Sequence, residues 1–191
     1  MLRLANLEEI QKHLMQIPAL TDLQESHDFL YVAKGKLWLA DLEKILSNNR
    51  IMQAGEIATL RGIVISAEDG ITPAELVFLG NLSKRKTIVA AAAFAVRRAC
   101  DVVLELVQGD VARFAEAERM MRQLIAIAKA KGLLQQIPHN GNPTEILRYL
   151  WLMLSNDQDI VAGTTNVEGL VGQYDALILL DRLIAVDIPK E

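Results

Sequence analysis

Residues 84–98 read KRKTIVAAAAFAVRR, five cations around ten uncharged residues, four of which are consecutive alanines. Lys84, Arg85, Lys86, Arg97 and Arg98 are the side chains whose type and spacing carry the clearest chemistry. They suit an anion: a phosphate, a nucleic-acid backbone or the carboxylates of a partner. Ser83 can cap a helix whose first turn holds Lys84, Arg85 and Lys86. The amino end of a helix is already positive, so each cation there is misplaced by roughly 0.3–1 kcal/mol. An outside anion would relieve that cost. The alanines describe a thin rod that lets neighbours approach closely.

Other reactive types are dispersed. His13, His27 and His139 lack the spacing of a helical metal pair. Cys100 stands in an apolar stretch, as core cysteines do, although Arg97 and Arg98 would lower its pKa if they approached the sulfur. Arg97 and Asp101 have the i,i+4 spacing of a surface ion pair. Ser83 and Lys86 spell S-x-x-K with no supporting motif. Neither a phosphate-cradling G-x-x-x-x-G-K nor a G-x-G-x-x-G occurs, and no cofactor is expected.

Two acidic groups invite a metal reading. Asp157, Asp159 and Glu168 fall at positions 1, 3 and 12 of a calcium-loop frame, but Val161 and Ala162 stand where that loop needs an oxygen ligand and a glycine. The segment SAEDGITPAEL, residues 66–76, resembles the helix–Ala-Asp-Gly–helix element of the tellurite-resistance family of helical proteins. The resemblance covers eleven residues. It implies an all-helical setting and acidic metal ligands, here Glu68, Asp69 and Glu75. A turn followed by a capped helix accounts for the same letters.

The elements that must hold these residues read as helices throughout. Asn6 with Glu9, Thr72-Pro73 with Glu75, and Asn142-Pro143 with Glu145 have the form of capped helix starts. With the apolar period they predict helices near 7–16, 22–34, 36–47, 53–66, 73–82, 84–108, 111–131, 143–154 and 167–186. Gly109 divides the two longest, which form a central hairpin in this reading. Val111, Phe114, Ala117, Met121, Leu124, Ile125 and Ala128 make the cleanest stripe, and the run from Ala176 to Leu180 is apolar on every side. Residues 155–172 read as the longest loop. Trp38 and Trp151 lie among leucines and are expected in the core.

Composition agrees. The 191 residues are 51% hydrophobic, mostly Leu, Ile, Val and Ala, with 5% aromatics. That favours helix-on-helix packing around a sizeable core. Residues 84–131 carry ten Lys/Arg against five Asp/Glu, while the flanks are acidic and the whole chain is −4. One cysteine allows no internal disulfide, and no window reaches the ~18 apolar residues of a membrane span. The amino terminus has no uninterrupted apolar run of signal-peptide type.

The sequence therefore predicts an all-α, compact multi-helix bundle of about nine helices, residues 1–191 forming one domain. It predicts a cytoplasmic, non-enzymatic adaptor, regulator or assembly component, self-associating or docking an acidic partner protein through the basic segment, with no membrane. The first alternative is a nucleic-acid-binding regulator. TPAELVFLGNLSKRKTIV gives it a degenerate helix-turn-helix within 72–98. The second is a helical small-molecule- or metal-binding protein.

Overall fold

The fold is all-α. The computed structural model describes residues 1–79, 82–136 and 142–187, and among these it contains helices and turns with no strand. Eight α-helices and two short 3-10 helices are present among the described residues: α1 Leu4–Leu14, α2 Ile17–Glu25, α3 Tyr31–Asn48, α4 Ala54–Glu68, a 3-10 helix Ala74–Leu79, α5 Lys84–Ala130, a 3-10 helix Leu133–Gln136, α6 Pro143–Asn156, α7 Val161–Val171 and α8 Gln173–Asp187. None of these helices is long and apolar enough to cross a membrane. The residues pack as two compact units, Ala5–Gln108, and Gly109–Glu191 together with Met1–Leu4. Their boundary falls inside α5, so no linker composition marks it.

In the unit Ala5–Gln108, α3 buries Tyr31, Gly35, Trp38, Leu39, Leu42 and Leu46, a stripe of helical period. α4 answers with Ile57, Leu60, Val64 and Ala67. The first half of α5 buries Ala91, Ala92, Ala95 and Ala99. These small side chains permit close packing: a Cβ on Gly35 would lie 3.3 Å from Val96 Cγ2. His13 and Trp38 clasp each other. Their rings stack at 5.0 Å, Trp38 Nε1 donates to His13 O at 3.2 Å, and His13 Nε2 donates to Trp38 O at 2.9 Å. A carbonyl only accepts, so His13 carries its proton on Nε2. Lys36–Glu68 and Arg61–Glu43 cross from α3 to α4 at the half-exposed edge; such pairs contribute about 0–1 kcal/mol each.

In the other unit the stripe on α5 is as predicted: Phe114, Ala117, Met121, Leu124, Ile125 and Ala128 are buried, and only Val111 at its edge is exposed. Leu150, Trp151 and Leu154 of α6, Val167 and Val171 of α7, and Ala176, Leu179, Leu180 and Leu183 of α8 complete the core. Trp151 Nε1 donates to Glu168 Oε1 at 2.7 Å, which satisfies its one donor. Residues 1–4 are tied down by buried carboxylates. Leu2 N–H donates to Asp110 Oδ2 at 2.8 Å and Leu4 N–H to Asp175 Oδ2 at 3.4 Å.

Several predicted boundaries give way to tertiary contacts. The central hairpin does not form, because α5 runs unbroken from Lys84 to Ala130 through Gly109. A helical glycine costs only about 1 kcal/mol relative to alanine, and Asp110 is drawn to the Leu2 amide and to Arg113 rather than capping a new helix. Of the helix expected at 73–82, residues 80–81 lie outside the described residues, and Ala74–Leu79 form a 3-10 helix in which Leu76 docks on Ala67 and Ala91. The loop expected at 155–172 is largely α7, whose glycine- and threonine-rich sequence is held by the burial of Thr164, Val167 and Val171. Asn6 lies inside α1, since Asp175 takes the amide of Leu4 and the helix starts earlier. The helix expected at 22–34 breaks at Ser26–Leu30. Asn142 caps α6 as expected, with its Oδ1 accepting from Thr144 N at 3.0 Å.

Candidate functional site

The site forms where α5 begins. Thr87 N–H donates to Ser83 O at 2.9 Å and Thr87 Oγ1 to the same carbonyl at 3.2 Å, so the helix winds from Ser83 onward. Lys84, Arg85 and Lys86 occupy its first turn, all exposed. Among the described residues none of the three forms an ion pair or hydrogen bond. Three cations thus stand without a carboxylate at the positive end of a 47-residue helix.

They rim a groove of about 1100 Å³. One wall is the start of α5, with Ile88, Val89, Ala90 and Ala93 beyond the cations. The other is the end of α2 and its turn into α3, with Leu23, His27, Asp28, Phe29, Tyr31 and Val32. That turn is made by His27 in the left-handed region, at φ 53°, and by Asp28 Oδ1 accepting from Leu30 N–H at 2.8 Å. The result displays Phe29 at 81% exposure beside the groove. Asp28 is the sole carboxylate among the lining residues, against three cations.

Arg97 and Arg98 do not join this group. Eleven residues from Lys86 to Arg97 correspond to about 16 Å along a helix, and neither arginine lines the groove. Arg98 Nη2 donates to Glu56 Oε1 at 3.2 Å. Arg97 makes no ion pair with Asp101; its charge acts on Tyr31, where it partly opposes the burial that pushes the phenol up to about 12. Nor do these arginines activate Cys100. Burial first, and then the negative charge of Asp101, push its thiol up to about 11. It stays protonated at neutral pH and is a poor nucleophile.

Glu68, Asp157, Asp159 and Glu168 are otherwise engaged. Glu68 accepts Lys36 Nζ on both oxygens, at 2.8 and 2.6 Å. Asp157 and Asp159 share Lys131 Nζ, and Glu168 holds Trp151. Among the described residues Glu68, Asp69 and Glu75 are not brought together as a metal group, nor is any other set of three His, Cys, Asp or Glu. The helix-turn-helix reading meets a 3-10 helix where its first α-helix belongs. Its turn, Gly80-Asn81, lies outside the described residues, as does His139.

Sequence reasoning located the three cations and missed the opposite wall. No glycine or proline marks the turn between α2 and α3; the polar run Glu25-Ser26-His27-Asp28 and the Asp28–Leu30 spacing are its only signals.

No family model matches this chain, and no curated protein and no solved structure matches it.

Proposed function

We propose that this is a non-enzymatic interaction protein, an adaptor, regulator or assembly component, which docks an acidic segment of a partner protein in the groove between the α2–α3 turn and the start of α5. One observation carries the reading. Among the described residues Lys84, Arg85 and Lys86 stand unpaired at a positive helix end beside an apolar groove with an exposed phenylalanine. Each cation is destabilising where it stands, and an incoming carboxylate turns that cost into binding energy. The apolar walls add area-dependent affinity that charge alone lacks. Cys100 held as a thiol and acidic residues held in ion pairs favour binding over catalysis. The partner is a different protein or a second copy, which the solution mass decides.

Fluorescence anisotropy with labelled anions at two salt concentrations tests the reading. An acidic peptide rich in Glu and Leu binds the parent protein and binds the K84A/R85A/K86A variant at least tenfold more weakly. Should duplex DNA, single-stranded DNA or RNA bind more tightly than the peptide, with a steep salt slope, a nucleic-acid-binding regulator takes its place. Failure of every anion to bind at low salt removes the basic turn as a docking element.

A further inference from the structure

We infer that the occupant of this groove is a short amphipathic α-helix lying antiparallel to α5, with its carboxylates in its last turn; the inference rests on the docking reading above. Its helical form follows from the walls. From Thr87 onward the backbone donors and acceptors of the α5 wall are used within the helix, and the lining side chains between the cations and Ala93 are Ile88, Val89 and Ala90. An extended peptide laid there would bury its own amides against hydrocarbon with no partner to accept them. A helix arrives with its backbone satisfied and offers one apolar face. Ala90 and Ala93 leave room for that backbone to come close. Phe29, 81% exposed on the facing turn, supplies an aromatic side chain to cover it.

Its direction follows from charge. The α5 wall is cationic only at its start, Lys84 to Lys86, and apolar onward to Ala93. A helix carries about half a negative charge at its carboxyl end and half a positive charge at its amino end. Antiparallel packing brings the negative end, and any acidic residues in its last turn, onto the three cations. Parallel packing sets positive against positive. Acidic residues at a helix's carboxyl end are as misplaced as cations at an amino end, so the two unfavourable termini neutralise each other on docking. From Lys84 to Ala93 the wall is about 14 Å long, which matches about ten helical residues.

The test uses the full chain and three labelled twelve-residue peptides, each with three glutamates and with leucines on one face. Two carry hydrocarbon staples that fix equal helicity, one with three glutamates in the last turn and one with them in the first. The third has a central proline. At 0.15 M salt the peptide with carboxyl-terminal glutamates binds at least tenfold more tightly than either other peptide, and F29A weakens it about fivefold or more with an unchanged circular dichroism spectrum. Equal binding of the two stapled peptides overturns the antiparallel arrangement. Binding of the proline peptide as tightly as the best stapled one, with no effect of F29A, overturns the helical occupant and leaves acidic docking intact. If oleate binds more tightly than any peptide, the groove takes a long-chain carboxylate and the helical occupant is wrong. If none of the four binds, the docking reading falls as well.

Discussion

Replacing Lys84, Arg85 and Lys86 together by alanine should make the protein more stable. The three side chains are exposed, unpaired among the described residues, and placed where the helix terminus repels them. Taking the low end of the dipole interaction, about 0.3 kcal/mol each, the triple change gains about 1 kcal/mol at physiological salt and up to about 3 kcal/mol at low ionic strength. Alanine's helix propensity adds a few tenths. A unit of this size has a urea dependence of about 1 kcal/mol per molar, so the unfolding midpoint should rise by about 1 M. Emission from Trp38, buried in the same unit, reports the transition, with W151F removing the second fluorophore. The measurement is made at 20 mM and at 500 mM NaCl. Screening shortens the reach of the terminus, so the gap between variant and parent should shrink at high salt. A variant equal to or below the parent at 20 mM would mean that the cations are already compensated within the chain and need no outside carboxylate.

Gly109→Ala should stabilise the protein by about 0.5–1 kcal/mol in a denaturant titration, because a Cβ there meets nothing within 4 Å and α5 is unbroken; a loss would indicate a break or bend at that point. Gly163→Ala should instead cost about 1 kcal/mol or more, since its Cβ runs into the buried Leu124 side chain, and shortening that side chain in G163A/L124A should abolish the clash, read as a coupling energy in a double-mutant cycle. Cys100 and Tyr31 give a pH dependence. Their acidities are weakened from 9.0 to about 11 and from 10.0 to about 12, so the folded chain holds these protons where the unfolded chain has lost them. Their contribution is full below about pH 9 and is lost as pH rises towards 12, at up to about 1.4 kcal/mol per pH unit for each proton, and C100A should flatten the alkaline slope of urea midpoints. Calcium at millimolar concentration should leave the thermal midpoint unchanged, because the Lys131 ammonium already occupies the oxygens of Asp157 and Asp159; a rise of several degrees in a circular dichroism melt would restore the calcium reading.

The fold class, the Asn142 cap, the α5 stripe through Phe114 and Met121, and the burial of both tryptophans were legible in the sequence. These depend on interactions within one or two turns, where period and capping chemistry are written in adjacent letters. The three cations at the amino end of a helix were legible for the same reason. Tertiary structure decided the rest. It carried α5 through Gly109, wound α7 from a glycine-rich segment by burying Thr164 and Val167, reduced residues 74–79 to a 3-10 helix under Leu76, and gave Asp110 and Asp175 to the amides of Leu2 and Leu4. It also gave Arg98 to Glu56 and set Phe29 opposite the basic turn. Local propensity terms are fractions of a kcal/mol per residue, whereas burying a side chain or satisfying a buried carboxylate is worth several times that. Where the two conflict, contacts between residues far apart in the chain prevail, and those contacts do not appear in the order of the letters.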